Sequence, residues 1–304
     1  MPQVSANRLM IEYAEHGPKD GPAIVMIMGL AAQMTFWPDA LVSELAGAGF
    51  RVVTFDNRDI GLTSKVHGAH APHPVAQIAA RVIGRNLAPY TLHDMVKDTL
   101  GLMDALEIRK AHIVGVSMGG MIGQLLSGTH PGRVISLTSI MSGTLNPLLP
   151  GPSLRVTGPL FLSRPKGKSR DALIERSIAM WSLIRTNDPA DDHSELRNKI
   201  AKGFDRSYYP SGVRRQLAAI LATGDLRPHI RKITAPTLVI HGSKDPLAPL
   251  AGGRDSARNI RGARLEIIEG MAHDLPKKFL PRIAGLIIDH ARAASEKPSR
   301  PAAA

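Results

Sequence analysis

A serine stands between two glycines in residues 115–119, which fit the pattern Gly-x-Ser-x-Gly. An apolar, β-forming run precedes it, and residues 121–126 are apolar on more than one face, which indicates a helix. A sharp turn from strand to helix would strain the backbone of Ser117 and require small neighbours, as Gly115 and Gly119 are. A hydroxyl at a helix N-terminus suits attack on an acyl group, because the helix dipole favours the developing anion. The same residues also fit an ordinary glycine-rich turn, so the rest of the chain decides.

Two other residues could complete this chemistry, since a serine hydroxyl needs a base, usually histidine, held by an acid. Asp245 lies four residues beyond the apolar run 237–241, and His273 follows the run 265–268. Such runs are typical of strands, and catalytic groups in doubly wound sheets follow the carboxyl ends of strands. Each residue alone also fits a simpler role, Asp245 as a turn former and His273 as a surface histidine. In the order serine, aspartate, histidine, the three predict a catalytic triad.

The elements that must position these residues alternate along the chain. Apolar or alternating runs predict strands at 8–14, 23–28, 51–55, 112–116, 133–141, 237–240 and 265–268. Helical spacing predicts helices at about 37–46, 91–106, 121–126, 251–259 and 278–294. This alternation predicts the α/β class, with a mainly parallel central sheet flanked by helices.

A long stretch without strand signals interrupts the alternation. Prolines follow residue 145, and helical patterns then appear near 170–185, 191–202 and 211–222. We interpret 145–230 as a helical cap inserted in the core. The core would then consist of residues 1–144 and 231–294.

Two further segments lack periodicity. Residues 65–90 carry scattered proline, glycine and histidine and are predicted to form a long irregular connection. The C-terminal residues 295–304 are polar and rich in alanine and proline, which predicts a disordered tail.

Composition limits the class of protein. The 304 residues are 43% hydrophobic and 21% charged, as expected for a globular protein with a sizeable core. Cysteine is absent, which excludes disulfides and a thiol nucleophile. No secretory signal is visible at the N-terminus, and the apolar runs are too short to cross a bilayer. We therefore expect a cytoplasmic protein without a membrane span; the oligomeric state stays open.

The charge is strongly basic, with 38 Lys and Arg against 26 Asp and Glu, a formal net charge of +12. Such a balance can indicate nucleic acid or an anionic membrane as a partner. Here the basic residues are spread along the chain, with denser patches at 155–170 and 277–282, and only 4% of residues are aromatic. This distribution favours a solvated basic surface over a nucleic-acid partner.

Five motifs make the chain resemble the α/β-hydrolase superfamily up to about residue 294. They are Met28-Gly29-Leu30, residues 56–61 (Asp56-Asn57-Arg58-Asp59-x-Gly61), residues 115–120, Asp245-Pro246 and Gly270-Met271-Ala272-His273. Shorter segments at 37–39, 58–61 and 273–276 are similar to the aclacinomycin methylesterase-like branch of bacterial esterases. Met28 departs from the pattern, because many members carry histidine there, and this puts the rigidity of the loop in question.

The resemblance implies Ser117 as nucleophile, His273 as general base and then acid, and Asp245 as its orienting partner. It also implies an oxyanion hole made by the backbone N–H groups of Met118 and Leu30. Gly29, next to Leu30, would let the substrate approach closely.

Serine as the nucleophile favours acyl transfer, because haloalkane dehalogenases and epoxide hydrolases of this fold use aspartate and dienelactone hydrolases use cysteine. The chemistry needs no cofactor and no metal, and His93, His229 and His241 lack ligand spacing, so we interpret them as structural or surface residues. We predict a serine carboxylester hydrolase acting on a small to medium, apolar small-molecule ester.

Apolar residues near the predicted site could line a substrate pocket, although core packing explains them equally well: Met34, Trp37, Met141, Leu145 and Trp181. A lactonase, a C–C hydrolase or a perhydrolase would use the same triad. A non-catalytic ligand-binding protein of this fold is the alternative from another class.

Overall fold

The computed structural model describes residues 1–162, 167, 169–188 and 193–296. Eight strands form one sheet: β1 (Gln3–Ala6), β2 (Leu9–His16), β3 (Ala23–Ile27), β4 (Arg51–Phe55), β5 (Ala111–Val116), β6 (Val134–Ile140), β7 (Thr237–Gly242) and β8 (Arg264–Ile268). Their order is β1-β2-β4-β3-β5-β6-β7-β8. The pairs β1–β2 and β2–β4 are antiparallel and all other pairs are parallel. The predicted α/β class with a mainly parallel sheet is confirmed.

Helices cover both faces of this sheet. They are α1 (Asp39–Gly47), α2 (Pro74–Val82), α3 (Leu92–Ala105), α4 (Met118–Thr129), α5 (Leu154–Leu162), α6 (Arg170–Ser182), α7 (His193–Arg206), α8 (Pro210–Thr223), α9 (Arg227–Ile230), α10 (Leu250–Asn259) and α11 (Leu280–Glu296). Alternate residues of β3 enter different cores, Val25 with α3 and α4, and Met26 with α1 and α11. Strands buried on both faces explain the continuous apolar runs of the sequence. Across the described residues, no helix combines the length and apolarity that crossing a bilayer requires.

The prediction of an irregular connection over residues 65–90 is wrong in its middle, where α2 forms. Pro74 occupies the first turn of this helix, where its fixed φ angle is favourable. The buried side chains of α2 are Gln77 and Ala80, and the larger apolar residues point outward. Because its large apolar residues face solvent, α2 lacks the apolar, core-facing spacing from which the other helices are predicted.

The C-terminal helix extends further than expected. Helix α11 ends at Glu296, so Ser295 and Glu296 are helical although they lie in the segment interpreted as a tail. The remaining residues of that segment, 297–304, lie outside the described residues.

Helices α5–α9, called here the inserted helices, lie between β6 and β7 in the chain. Two arginines, the half-buried Arg206 and the buried Arg215, join them to the turn after β4. Arg206 on α7 places Nη1 2.6 Å from Oδ2 of Asp56. Arg215 on α8 contacts both carboxylate oxygens of Asp59, at 2.8 and 2.9 Å. Because a buried charge is costly unless it is paired, these contacts fix α7 and α8 against the core.

The carboxylate of Asp59 has a complete set of partners. Besides Arg215, it accepts hydrogen bonds from the hydroxyl of Tyr90 at 2.7 Å and the N–H of Val66 at 2.8 Å. Burial alone would raise the pKa of Asp59, but these hydrogen bonds outweigh it and lower the pKa below its ordinary value. The carboxylate is therefore held in its charged form.

Candidate active site

Ser117 lies at the turn between β5 and α4, with φ 55° and ψ −118°, a conformation that non-glycine residues rarely adopt. Its N–H donates to the carbonyl oxygen of Ile140 at 2.9 Å. A Cβ atom on Gly115 would lie 2.2 Å from the oxygen of Gly119, and one on Gly119 would lie 2.0 Å from the oxygen of Ile27. Only glycine fits at either position, so the sequence pattern reflects a steric requirement of this turn.

The structure brings Ser117, His273 and Asp245 together. Nε2 of His273 lies 3.0 Å from Oγ of Ser117, and its Nδ1 lies 2.7 Å from Oδ2 of Asp245. An ionised carboxylate can only accept, so Nδ1 carries the proton toward Asp245. Nε2 is then left to accept the proton of the serine hydroxyl. The side chains of Asp245 and His273 are both buried, which strengthens these contacts.

The carboxylate of Asp245 is fixed on its other side as well. Oδ1 accepts the N–H groups of Leu247 at 2.9 Å and Ala248 at 2.8 Å. Behind it, Nε2 of His241 donates to the carbonyl oxygen of Ala248 at 2.7 Å and lies 3.7 Å from Oδ2 of Asp245. Burial lowers the pKa of His241, so this imidazole is neutral. Two backbone N–H groups and Nδ1 of His273 thus hold the carboxylate of Asp245, with a neutral imidazole behind it.

The loop that carries His273 is tied to the chain after α6. The N–H of His273 donates to the carbonyl oxygen of Ile184 at 2.9 Å, and the N–H of Ala272 donates to Oγ1 of Thr186 at 2.9 Å. Thr186 in turn donates to Oδ1 of Asp274 through its N–H at 3.0 Å and its hydroxyl at 2.5 Å. Burial raises the pKa of Asp274, although these bonds oppose that effect. These four bonds, called here the Thr186 clamp, hold both sides of the histidine.

Gly29 approaches the serine from the end of β3. A Cβ atom at this glycine would lie 3.2 Å from Cβ and 3.8 Å from Oγ of Ser117. Leu30 follows it, and Met118 is the first residue of α4. In the part of the chain that the structure describes, no protein acceptor takes the N–H of either Leu30 or Met118.

The loop around Gly29 is held without the histidine that many relatives carry. Nδ2 of Asn57 donates to the carbonyl oxygen of Met28 at 2.9 Å, and the N–H of Ala31 donates to Oε1 of Gln216 at 3.2 Å. Gln216 lies on α8 and also donates to the carbonyl oxygen of Arg58 at 2.9 Å. Met28 itself is buried in the apolar core. Asn57 on one side and Gln216 of α8 on the other therefore hold the loop in place, with methionine instead of histidine at position 28.

Ser142 is a supporting residue that sequence reasoning missed. Its hydroxyl donates to the carbonyl oxygen of Ser117 at 2.8 Å. The residue comes two positions after β6, the strand beside β5, so it lies at the same sheet edge as the serine turn. The signal in the sequence was the position of this polar residue at the end of the predicted strand 133–141. Gln216 and Thr186 belong to the inserted segment and have no comparable local signal.

The apolar residues considered for a pocket fall into two groups. Met34, Trp37 and Met141 are buried, and the latter two pack in the core beside β3 and β5. Leu145 and Trp181 are half-buried. The ring of Trp181 stacks on Phe36, with centroids 5.2 Å apart. Of the five residues, Leu145 and Trp181 are therefore the ones whose side chains keep exposed surface that a ligand could contact.

The remaining histidines lie apart from the triad or behind it. His93 and His229 contact each other edge to face, with ring centroids 5.0 Å apart, and burial lowers the pKa of His93. His241 supports Asp245, as described above. Over the described ranges, no group of histidine, aspartate and glutamate side chains is arranged to hold a metal ion.

Comparison with known proteins agrees with this architecture. Residues 22–277 match the sequence model of the alpha/beta hydrolase fold family. The rhodomycin D methylesterase DauP of Streptomyces sp. strain C5 is 30% identical over 297 residues, covering 91% of this chain and 93% of the relative. The rhodomycin D methylesterase DnrP of Streptomyces peucetius is 29% identical with the same coverage. The crystal structure of an enol-lactonase from Burkholderia xenovorans LB400 superposes with a TM-score of 0.72 at 25% identity, covering 96% of this chain and all of that one.

Proposed function

The chain belongs to the α/β-hydrolase family, and we propose that it is a serine carboxylester hydrolase that works through an acyl-enzyme. The observation that carries this proposal is the contact of 3.0 Å between Nε2 of His273 and Oγ of Ser117, with Asp245 at 2.7 Å from Nδ1. This is the geometry that a serine nucleophile requires for activation. The two methylesterase relatives support hydrolysis of an ester.

In the proposed reaction His273 takes the proton of Ser117 as Oγ attacks the ester carbonyl carbon. The resulting tetrahedral oxyanion collapses, the C–O bond to the alcohol breaks, and His273 returns the proton to the leaving oxygen. Water, deprotonated by the same imidazole, then attacks the acyl carbon. The bond from that carbon to Oγ of Ser117 breaks, His273 returns the proton to Oγ, and the acid is released. Asp245 stabilises the imidazolium formed in both halves of the reaction.

We assign the oxyanion hole to the N–H groups of Leu30 and Met118. The proximity of Gly29 to Ser117 supports this assignment, as does the lack of a protein acceptor for either N–H among the described residues. Met118 also begins α4, so the helix dipole adds to the stabilisation of the anion. Loss of one such donor typically costs about 10²–10³ in rate.

We further propose that the inserted helices form a cap over the site and help to choose the substrate. Trp181 on α6 and Leu145 before α5 keep exposed apolar surface, and we propose that they contact a small to medium apolar ester. A lactone is the second candidate, because the similar crystal structure is that of an enol-lactonase. A lactone would be opened by the same steps and give one product instead of an acid and an alcohol.

The proposal is tested by the mass of the intact protein after incubation with a fluorophosphonate, which reacts only with an activated serine. We expect one adduct on the wild type and none on the folded Ser117→Ala variant. A panel of esters and lactones then ranks the acyl and alcohol groups. An unlabelled wild type with a native circular dichroism spectrum would contradict the proposal and favour a non-catalytic binding protein.

A further inference from the structure

Helix α2 turns an apolar face toward solvent. Val75, Ile78 and Val82 are 66%, 51% and 82% exposed, and their spacing of three and four residues places them on one side of the helix. Ile83 and Leu87, in the turn that follows, are 69% and 51% exposed. Scattered exposed aliphatic residues are ordinary, but a contiguous group of five marks a contact surface. We call these five residues the α2 patch.

The opposite side of α2 is firmly attached to the protein. Gln77 and Ala80 are buried, and the helix packs against α8. Oε1 of Gln77 accepts the N–H of Leu87 at 3.0 Å, which folds the following turn back onto the helix. The α2 patch therefore faces solvent, because the opposite face of the helix packs against α8.

The segment that carries the patch has charges of one sign. Residues 60–93 contain no aspartate or glutamate but include Lys65, Arg81 and Arg85, within a chain of net charge +12. Arg81 and Arg85 are exposed and lie on or directly after the helix. Asp225, which pairs with Arg227, is an acidic neighbour of Arg81. Arg85 is therefore the better position at which to test the charge.

A helix that exposes aliphatic side chains flanked by arginines fits the interface of an anionic bilayer. The aliphatic groups can enter the headgroup boundary while the guanidinium groups meet the lipid phosphates. A second copy of the chain fits less well, because it would bring two arginine-flanked patches and two strongly basic proteins together. We propose that the α2 patch docks the protein on membrane surfaces rich in anionic lipid. The α2 patch contains none of the residues assigned to the proposed active site, and docking through it does not depend on ester hydrolysis.

The test is co-sedimentation with vesicles of phosphatidylglycerol and phosphatidylcholine, compared with vesicles of phosphatidylcholine alone. We expect the wild type to bind the anionic vesicles only, and less strongly as salt rises. The triple variant Val75→Gln, Ile78→Gln and Val82→Gln should bind at least about tenfold more weakly, and glutamine keeps the helix favourable. Arg85→Gln should weaken binding by about fivefold.

The control variant, Leu148→Gln with Leu154→Gln, changes two exposed aliphatic residues outside the patch and should bind like the wild type. Three results would overturn the proposal: a folded wild type that does not bind anionic vesicles, equal binding by the triple variant, or an equal loss in the control. Light scattering that showed a dimer lost only in the triple variant would assign the patch to a second copy instead. Turnover of a water-soluble ester should be unchanged in the triple variant and in Arg85→Gln, so the outcome is independent of the proposed catalytic mechanism.

Discussion

The backbone N–H of His273 and the carbonyl oxygen of Ile184 are 2.9 Å apart, which joins the proposed base to the chain after α6. Together with the bonds of Thr186 to Ala272 and Asp274, this contact fixes the position of the imidazole from outside the sheet. The inserted segment therefore contributes to the geometry of the catalytic residues in addition to any contact with substrate.

Removing the hydroxyl of Thr186 should slow the reaction. Thr186→Val loses the two bonds of the hydroxyl, to Ala272 and Asp274, and keeps the shape of the side chain and the backbone N–H bond to Asp274, so His273 is less well placed relative to Ser117. We expect kcat to fall by about tenfold or more with little change in KM, because the loss affects orientation rather than binding. Steady-state kinetics on one good ester measure both quantities.

Thr186→Ser retains the oxygen and should restore most of kcat. Ser182→Ala is the matched control, since among the described residues that hydroxyl bonds to the carbonyl oxygen of Ile178 in its own helix and to no other group. Equal kcat values for Thr186→Val and Ser182→Ala would show that the Thr186 hydroxyl plays no part in positioning His273.

Neutralising Asp245 should disable the base. In Asp245→Asn the amide can donate to Nδ1 of His273, which favours the tautomer that carries its proton on Nε2, facing Ser117. We expect kcat to fall by up to about 10⁴, by analogy with other triads, while the thermal transition stays cooperative. A nearly unchanged kcat would mean that another carboxylate orients His273.

Breaking the buried pair of Arg215 and Asp59 should destabilise the fold. Arg215→Ala leaves a buried carboxylate without its cation, and we expect the free energy of unfolding to drop by about 3–5 kcal/mol in urea denaturation. Arg170→Ala is the matched control, because its pair with Asp205 is exposed, and it should change stability very little. Arg215→Met combined with Asp59→Asn should cost less than Arg215→Ala, and a larger loss would contradict this account.

The buried histidine of β5 should make stability depend on pH. Burial, with a smaller contribution from His290, lowers the pKa of His112 to about 4. Between pH 6.5 and 4 the unfolded chain therefore binds a proton that the native protein does not, so stability falls as pH falls through this window. The slope from this one group is at most about 1.4 kcal/mol per pH unit, and it vanishes above pH 6.5.

Urea denaturation at a series of pH values measures this slope. His112→Gln should reduce it, although not to zero, because burial also lowers the pKa of His241. His130→Gln removes an exposed histidine and should leave the slope as it is in the wild type. An unchanged slope in His112→Gln would contradict the assignment.

The sheet and the positions of Ser117, Asp245 and His273 were predictable because their signals are local. Apolar runs marked the strands, the serine turn stands at the end of one run, and Asp245 and His273 lie four and five residues beyond the runs 237–241 and 265–268. The supports of the site were not predictable in this way. Gln216 lies 185 residues from Ala31, and Thr186 lies 88 residues from Asp274, so no short pattern connects them. Helix α2 was missed for another reason, since its apolar residues face solvent instead of the core.

The two arginine–aspartate pairs also bear on the design of chimeras between members of this fold. A chimera that received inserted helices without arginines at positions 206 and 215 would leave Asp56 and Asp59 as uncompensated charges inside the protein. The inserted helices and the turn at 56–59 therefore form one unit of recombination, although they are distant in the chain. Grafts that carry both segments should fold, whereas grafts of the helices alone should yield insoluble protein.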